Sequence, residues 1–145
     1  MKNNAYILAA TRTGTGGFMG SLSSFSAPQL AAEVIKDALL KAGIKANDVD
    51  EVILGNVLSA NIGQAPARQA ARAAGIPDEV DATTINKICS SGIKSVSYAV
   101  QSILLGDSDV VIAGGMESMS NAPYYIENHR EGHKTGHQNI IDGML

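Results

Sequence analysis

The sequence predicts an α/β fold with a mostly parallel sheet, helices on both of its faces and a buried central helix. Three observations carry this. Short apolar runs alternate with helix-length periodic segments along residues 1–120, the order that right-handed βαβ crossovers impose. The short runs are continuously apolar rather than alternating, as in strands covered from both sides. The stretch Ser91 to Leu105 carries no charge apart from Lys94, and a helix without a solvated face is buried on all sides.

Taken in order, Ala5 to Ala10 reads as a buried strand, followed by a loop, Thr11 to Gly20, that holds four glycines. The loop is no standard phosphate cradle. Counted from Gly14 and Gly16, a dinucleotide fingerprint needs glycine where Met19 stands, and a P-loop needs lysine then Ser or Thr after its last glycine. A tight loop that brings backbone close to a neighbour fits better. Pro28 to Ala42 places Leu30, Ala31, Val34, Ile35, Ala38, Leu39 and Ala42 on one stripe, with Glu33, Lys36, Asp37 and Lys41 opposite, which makes a surface helix. Ser26 and Gln29 have capping-box spacing, and Gly43 supplies the stop. Val52 to Val57 is the next strand. An alanine-rich helix from about Ala65 to Ala74 carries Arg68 and Arg72 one turn apart and ends at Gly75, with Pro77 beyond.

Thr83 to Ile88 is then the strand that feeds Cys89, and Ser91 to Leu105 is the helix behind it, ended by Gly106. Asp109 to Ala113 is an apolar strand running into Gly114-Gly115-Met116-Glu117-Ser118-Met119. From Asn121 to Asn139 the pattern dissolves into a polar excursion from the sheet.

At 145 residues, 45% hydrophobic and 17% charged, the chain has the composition of an ordinary globular domain. A formal net charge of -3 with no basic stripe argues against nucleic acid as a partner. No stretch approaches the roughly 20 apolar residues of a membrane span. With one cysteine no internal disulfide forms, and Ala5 to Ala10 is too short for a secretory signal, so the chain reads as cytoplasmic.

Chemistry is expected at Cys89, the sole cysteine. A thiol between a strand and a helix start faces unpaired backbone N–H groups and the positive end of the helix dipole, and Ser90, Ser91 and Gly92 leave it unobstructed. The dipole stabilises an anion there by at most about 2 kcal/mol, so a nucleophile still needs a base. Inert core packing of the cysteine stays open beside this reading.

In sheets of this kind functional groups sit at the carboxyl ends of strands, and both Cys89 and the loop 114–119 occupy such ends. Glu117 is a candidate acid or base, or a carboxylate tied to backbone N–H groups of its own loop. Met116 and Met119 suit either an apolar acyl pocket or the core. His129, His133 and His137 recur every fourth residue, but Gly132 and Gly136 break the helix that would align them, and no metal site is expected. Arg130 and Lys134 make that stretch a modest basic patch for phosphate groups or for a neighbouring subunit's acids.

Residues 86–94, Asn-Lys-Ile-Cys-Ser-Ser-Gly-Ile-Lys, resemble the nucleophile motif of thiolases, and residues 114–120, Gly-Gly-Met-Glu-Ser-Met-Ser, resemble a second signature of that family. Thr11-Arg12-Thr13 with Phe18 and Gly20, and the run Gly63 to Gln69, fit the same family in the same order. Lys87 leans toward its acetyl-CoA acetyltransferase branch; Gly14, where the family usually has proline, departs from it.

The resemblance implies a thiolase-like layered fold of two βα halves, with the Cys89 helix in the central layer. It implies acyl transfer, in which Cys89 takes an acetyl group from acetyl-CoA and passes it to a second acetyl-CoA, or the reverse thiolysis. The backbone N–H of Cys89 then helps to hold the thioester oxygen, and Met119, Arg130 and Lys134 are the substrate-binding candidates. Coenzyme A is part of the substrate, and no separate cofactor is implied. Residues 1–120 form the N-terminal domain and 121–145 open a loop domain concerned with coenzyme A and tetramer contacts. The family's activating histidine and second cysteine lie in a C-terminal half that these residues do not include.

A homodimer or homotetramer, or a second chain supplying that half, is therefore expected, with the strand Thr83 to Ile88 as the candidate dimer edge. Half of the layers alone leaves a large apolar surface exposed. A related condensing enzyme such as a ketoacyl synthase, or a non-catalytic partner of a full-length thiolase, are the competing readings.

Overall fold

The computed structural model describes residues 4–145; residues 1–3, the polar start assigned to the first domain, lie outside the described residues. The first element is helix α1, Ala27–Ala42. Its start is the expected capping box: the Ser26 hydroxyl accepts from the Gln29 N–H and the Gln29 side chain accepts from the Ser26 N–H. Pro28 sits in the first turn, where its missing N–H costs no bond. Gly43 closes the helix at φ 67°, in the left-handed region that glycine adopts without strain.

Strand β1, Glu51–Gly55, follows, then helix α2, Pro66–Ala73, strand β2, Asp81–Ile85, helix α3, Ser91–Leu105, and strand β3, Val111–Gly115. The three strands form a parallel sheet in the order β2-β1-β3, with Gly55 in register with Ile85 on one side and Gly115 on the other. Side chains of β1 alternate between the sheet's faces. Val52 and Leu54 join Ala27, Ala31 and Ile35 of α1 and Ala67, Ala70 and Ala71 of α2 in one core. Ile53 and Gly55 point the other way, where Gly55 meets the start of α3. The α/β fold with helices on both faces is thus as the sequence predicts.

Four expectations change. Ala5 to Ala10 is not a buried strand: the segment carries no strand pairing among the described residues, and Tyr6, Ile7 and Leu8 are 75%, 82% and 62% exposed. Its apolar side chains mark a buried role, but a strand needs a hydrogen-bonded neighbour. Here a cavity of about 530 Å³ separates the segment from β3, α1 and α3. Second, α3 is covered on one side only. Ser91, Ser95 and Ala99 are buried, whereas Ile93, Tyr98, Val100 and Leu105 are exposed. The small residues face the sheet and nothing among the described residues covers the rest, so the large apolar surface expected from half of the layers is present.

Third, the strand before Cys89 ends at Ile85 rather than Ile88, where Asn86 turns the chain away, and it is a partly exposed edge because among the described residues it pairs with β1 alone. Fourth, the polar excursion is not without regular structure: its Tyr124–Tyr125 (β4) pairs antiparallel with Ile141–Asp142 (β5), just beyond it, and His129–Glu131 forms a 3-10 turn.

Candidate active site

Cys89 lies exposed on a sharp elbow between β2 and α3. The elbow is built from short-range polar contacts. The Ile88 N–H donates to the Asn86 side-chain oxygen at 2.9 Å, and the Lys87 N–H donates to Ser91 Oγ at 2.8 Å. Ser91 Oγ in turn donates to the Ile88 carbonyl at 2.6 Å. Ile88 is held at φ 51°, a left-handed conformation that costs a β-branched residue on the order of 1–3 kcal/mol and persists only where its surroundings enforce it. The residue before the thiol is therefore strained, and the thiol itself is turned outward. Ser90, the N-cap of α3, makes no side-chain capping bond, while the Ser90 and Ser91 N–H groups are donated to the carbonyls of Lys87 and Ile88.

Beneath the elbow, backbone rests on backbone. A Cβ on Gly55 would stand 2.6 Å from both the carbonyl carbon and Cβ of Ser91, and one on Gly115 would stand 3.1 Å from the Cα of Gly92. Only glycine at position 55 permits this approach of the helix start to the end of β1, and glycine at 115 eases its approach to the end of β3. Ser95, one turn into α3 and fully buried, lies 2.6 Å from the Gly92 carbonyl and 2.7 Å from the Gly114 carbonyl, and its hydroxyl stitches the helix to β3. The Asn56 N–H donates to the Ile85 carbonyl and the Met116 N–H to the Gly55 carbonyl, so the carboxyl ends of all three strands are tied at one level.

Glu117 is bonded to backbone N–H groups, though not those of its own loop: its carboxylate accepts from the N–H groups of Val57 and Leu58 and from the side chain of Asn56. Met116 is a core residue. Met119 is exposed at the start of a 3-10 turn. That turn holds the glycine-bearing loop: the Ser118 hydroxyl donates to the Phe25 carbonyl, the Asn121 amide to those of Ser23 and Phe25, and the Met19 N–H to Ser120 Oγ.

Arg130 and Lys134 are exposed on the polar excursion, and among the described residues no hydrogen bond or ion pair joins them to the Cys89 elbow. The histidines are not aligned on a helix. His133 is engaged with the Gly136 carbonyl and with Gln138, and among the described residues no group of three or more His, Cys, Asp or Glu is placed to hold a metal.

Sequence reasoning missed Gly55, Asn56 and Ser95. The available signal was Gly55-Asn56 at the end of an apolar run, matching Gly114-Gly115 at the end of another, and a serine within a helix that lacks charge.

Residues 5–145 match the family described as the thiolase N-terminal domain. The chain is 55% identical over 140 residues to a cytosolic acetyl-CoA acetyltransferase of Gibberella zeae, covering 97% of this chain and 35% of that protein. It is 56% identical over 139 residues to acetyl-CoA acetyltransferase 2 of Arabidopsis thaliana, covering 96% and 34%. A thiolase of Ascaris suum, solved in complex with coenzyme A, superposes with a TM-score of 0.92 at 39% identity over 97% of this chain and 36% of that one. The chain thus spans about a third of the length of the curated relatives it matches.

Proposed function

The chain belongs to the thiolase family, and from that premise we propose that it serves acetyl transfer between coenzyme A thioesters, with Cys89 as the acyl-accepting nucleophile. The Cys89 thiolate attacks the thioester carbonyl of acetyl-CoA, the bond to the CoA sulfur breaks, and CoA leaves and takes up a proton. A base from outside the described residues takes a methyl proton from a second acetyl-CoA, and the resulting enolate attacks the acetyl-Cys89 carbonyl, which releases acetoacetyl-CoA and the thiolate. Thiolysis is the same path reversed.

The observation that carries this reading is the position of the thiol. It is exposed, presented by a strained elbow, and set at the uncapped start of α3 above the carboxyl ends of three parallel strands. A thioester oxygen drawn to the N–H groups there gains stabilisation as it becomes an oxyanion, where one such donor is worth about 3 kcal/mol.

No hydrogen bond joins a histidine or carboxylate to Cys89 among the described residues, so the base that takes the thiol proton comes from outside them. We assign that base to a second copy or to a further segment, consistent with the open side of α3. Coenzyme A enters as substrate, with no separate cofactor. Met119 lies against the acyl or pantetheine portion, and Arg130 and Lys134 are the cations offered to its phosphates. Among the described residues no helix is long and apolar enough to cross a membrane; we propose a cytosolic setting, which the name of the Gibberella zeae relative supports.

Incubation with acetyl-CoA followed by peptide mass spectrometry tests the proposal. One acetyl group on Cys89 is expected, absent in Cys89→Ser; an unmodified Cys89 in the presence of the base-supplying partner overturns it.

A further inference from the structure

Glu117 stands outside the thiol chemistry, yet its carboxylate is fully committed. Oε1 accepts from Asn56 Nδ2 at 2.8 Å and from the Leu58 N–H at 3.0 Å, and Oε2 accepts from the Val57 N–H at 3.0 Å. These bonds join the exit of β3 to the exit of β1 across 59–61 residues of sequence.

Resting on the reading of Cys89 as the acyl-accepting nucleophile, we propose that Glu117 is a positioning residue for that thiol, acting through Asn56 and Gly55 on the two flanks of the elbow. Asn56, gripped by Glu117 through its side chain, donates its own N–H to the carbonyl of Ile85 at 3.0 Å. Ile85 immediately precedes Asn86, whose side chain shapes the turn at Ile88. That is the route into the near flank. Gly55, next to Asn56, is in close contact with Ser91, and the Ser91 hydroxyl closes the elbow against Lys87 and Ile88. That is the route into the far flank, and Cys89 lies between them.

The chemistry asks for a carboxylate. All three donors are N–H groups, and an ionised carboxylate is the side chain that only accepts. A glutamine of the same shape turns an NH2 toward at least one of them and leaves it unpaired in a partly buried place. Asn56 cannot compensate. It is 2% exposed, and its Oδ1 already lacks a hydrogen-bond partner. Reversing its amide to meet the new NH2 would break the bond from Asn56 Nδ2 to the Met116 carbonyl and set oxygen against oxygen there.

The test compares two reactions at the one cysteine of the chain. Alkylation by iodoacetamide needs only a free thiol, whereas acetylation by acetyl-CoA, run with the base-supplying partner present, needs that base, the thiol and the helix-start N–H groups in register. Glu117→Gln is expected to slow acetylation by about tenfold, the scale set by small misplacements of a reacting group, and to change alkylation by less than about twofold. Ser102→Ala disturbs the far end of the same helix, where Ser102 Oγ lies 2.9 Å from Ser108 Oγ and 3.2 Å from the Glu51 carboxylate; it should leave the ratio of the two rates unchanged.

If Glu117→Gln slows both reactions equally or leaves acetylation unchanged, or if Ser102→Ala moves the ratio as far, Glu117 has no positioning role. Should Glu117→Gln fail to fold, Glu117→Asp, which keeps the charge and shortens the reach, is judged by the same ratio. A parent chain acetylated at Cys89 with a ratio insensitive to Glu117 sinks this inference alone. A parent chain that alkylates but never acetylates with the base-supplying partner present sinks the acyl-transfer reading and this inference with it.

Discussion

The two faces of the sheet are built differently. On the face of Val52 and Leu54, α1 and α2 close over the strands, and Ala27, Ala31, Ile35, Ala67, Ala70 and Ala71 are all buried in one cluster. On the face of Ile53 and Gly55, α3 lies alone, seated through glycines and serines, with most of its larger side chains in contact with solvent. The first face is an apolar core whose worth scales with buried area. The second uses little apolar area; it fixes a backbone by close approach and by hydroxyl-to-carbonyl bonds. Stability and chemical placement are therefore separated across a single sheet, and the thiol belongs to the face that contributes less to stability.

The sharpest way to break this contrast is to make the same deletion on both sides. Ile35→Ala removes a core side chain that is 2% exposed and is expected to cost about 3 kcal/mol. Ile93→Ala, at a position 71% exposed, should change stability by less than about 0.5 kcal/mol. Urea unfolding of the pair measures both, and equal losses would erase the distinction.

A smaller effect is expected at Ser95. Ser95→Ala leaves the Gly114 carbonyl without its hydroxyl donor and should cost about 1.5 kcal/mol. The acetylation rate of Cys89 should fall along with it, which no substitution in the α1–α2 core at matched stability should do.

The smallest effect concerns the anchoring of the N-terminal segment to α1, where Thr11, Asp37 and Lys41 bond one another. The Lys41 ammonium, then the Thr11 hydroxyl, holds the Asp37 carboxyl below its ordinary 3.8. A folded value below the unfolded one means that the stabilisation is complete above 3.8 and fades as pH falls through the lower folded value. Asp37→Asn should flatten that part of the acid-unfolding profile and leave neutral pH little changed; a profile identical to the parent's would show that the trio anchors nothing.

How much of this was legible in the sequence depends on how local each signal is. The ends of α1 were readable because Ser26, Gln29 and Gly43 act within a turn of one another. The place of Cys89 at a helix start was readable because that start and its small neighbours are contiguous. The run Ala5 to Ala10 misled because apolar composition reports what a segment is made to touch, whereas a strand also needs a hydrogen-bonding neighbour, and β3 is held off from it by the cavity. Helix α3 misled for the same reason: its lack of charge describes surfaces that lie bare here. The grip of Glu117 on Asn56 was invisible because the two lie 61 residues apart, and the strand-end position that marks each of them does not say that they meet.

The contact of Gly55 and Gly115 with Ser91 and Gly92 also bears on how still the thiol is held. A helix seated on leucine or methionine side chains shifts as those side chains hop between rotamers on the picosecond-to-nanosecond scale. A seat made of main-chain atoms has no rotamers to sample. The origin of α3 inherits the stiffness of peptide geometry, and Cys89 is left with its own χ1 as the one soft coordinate between the sheet and the sulfur.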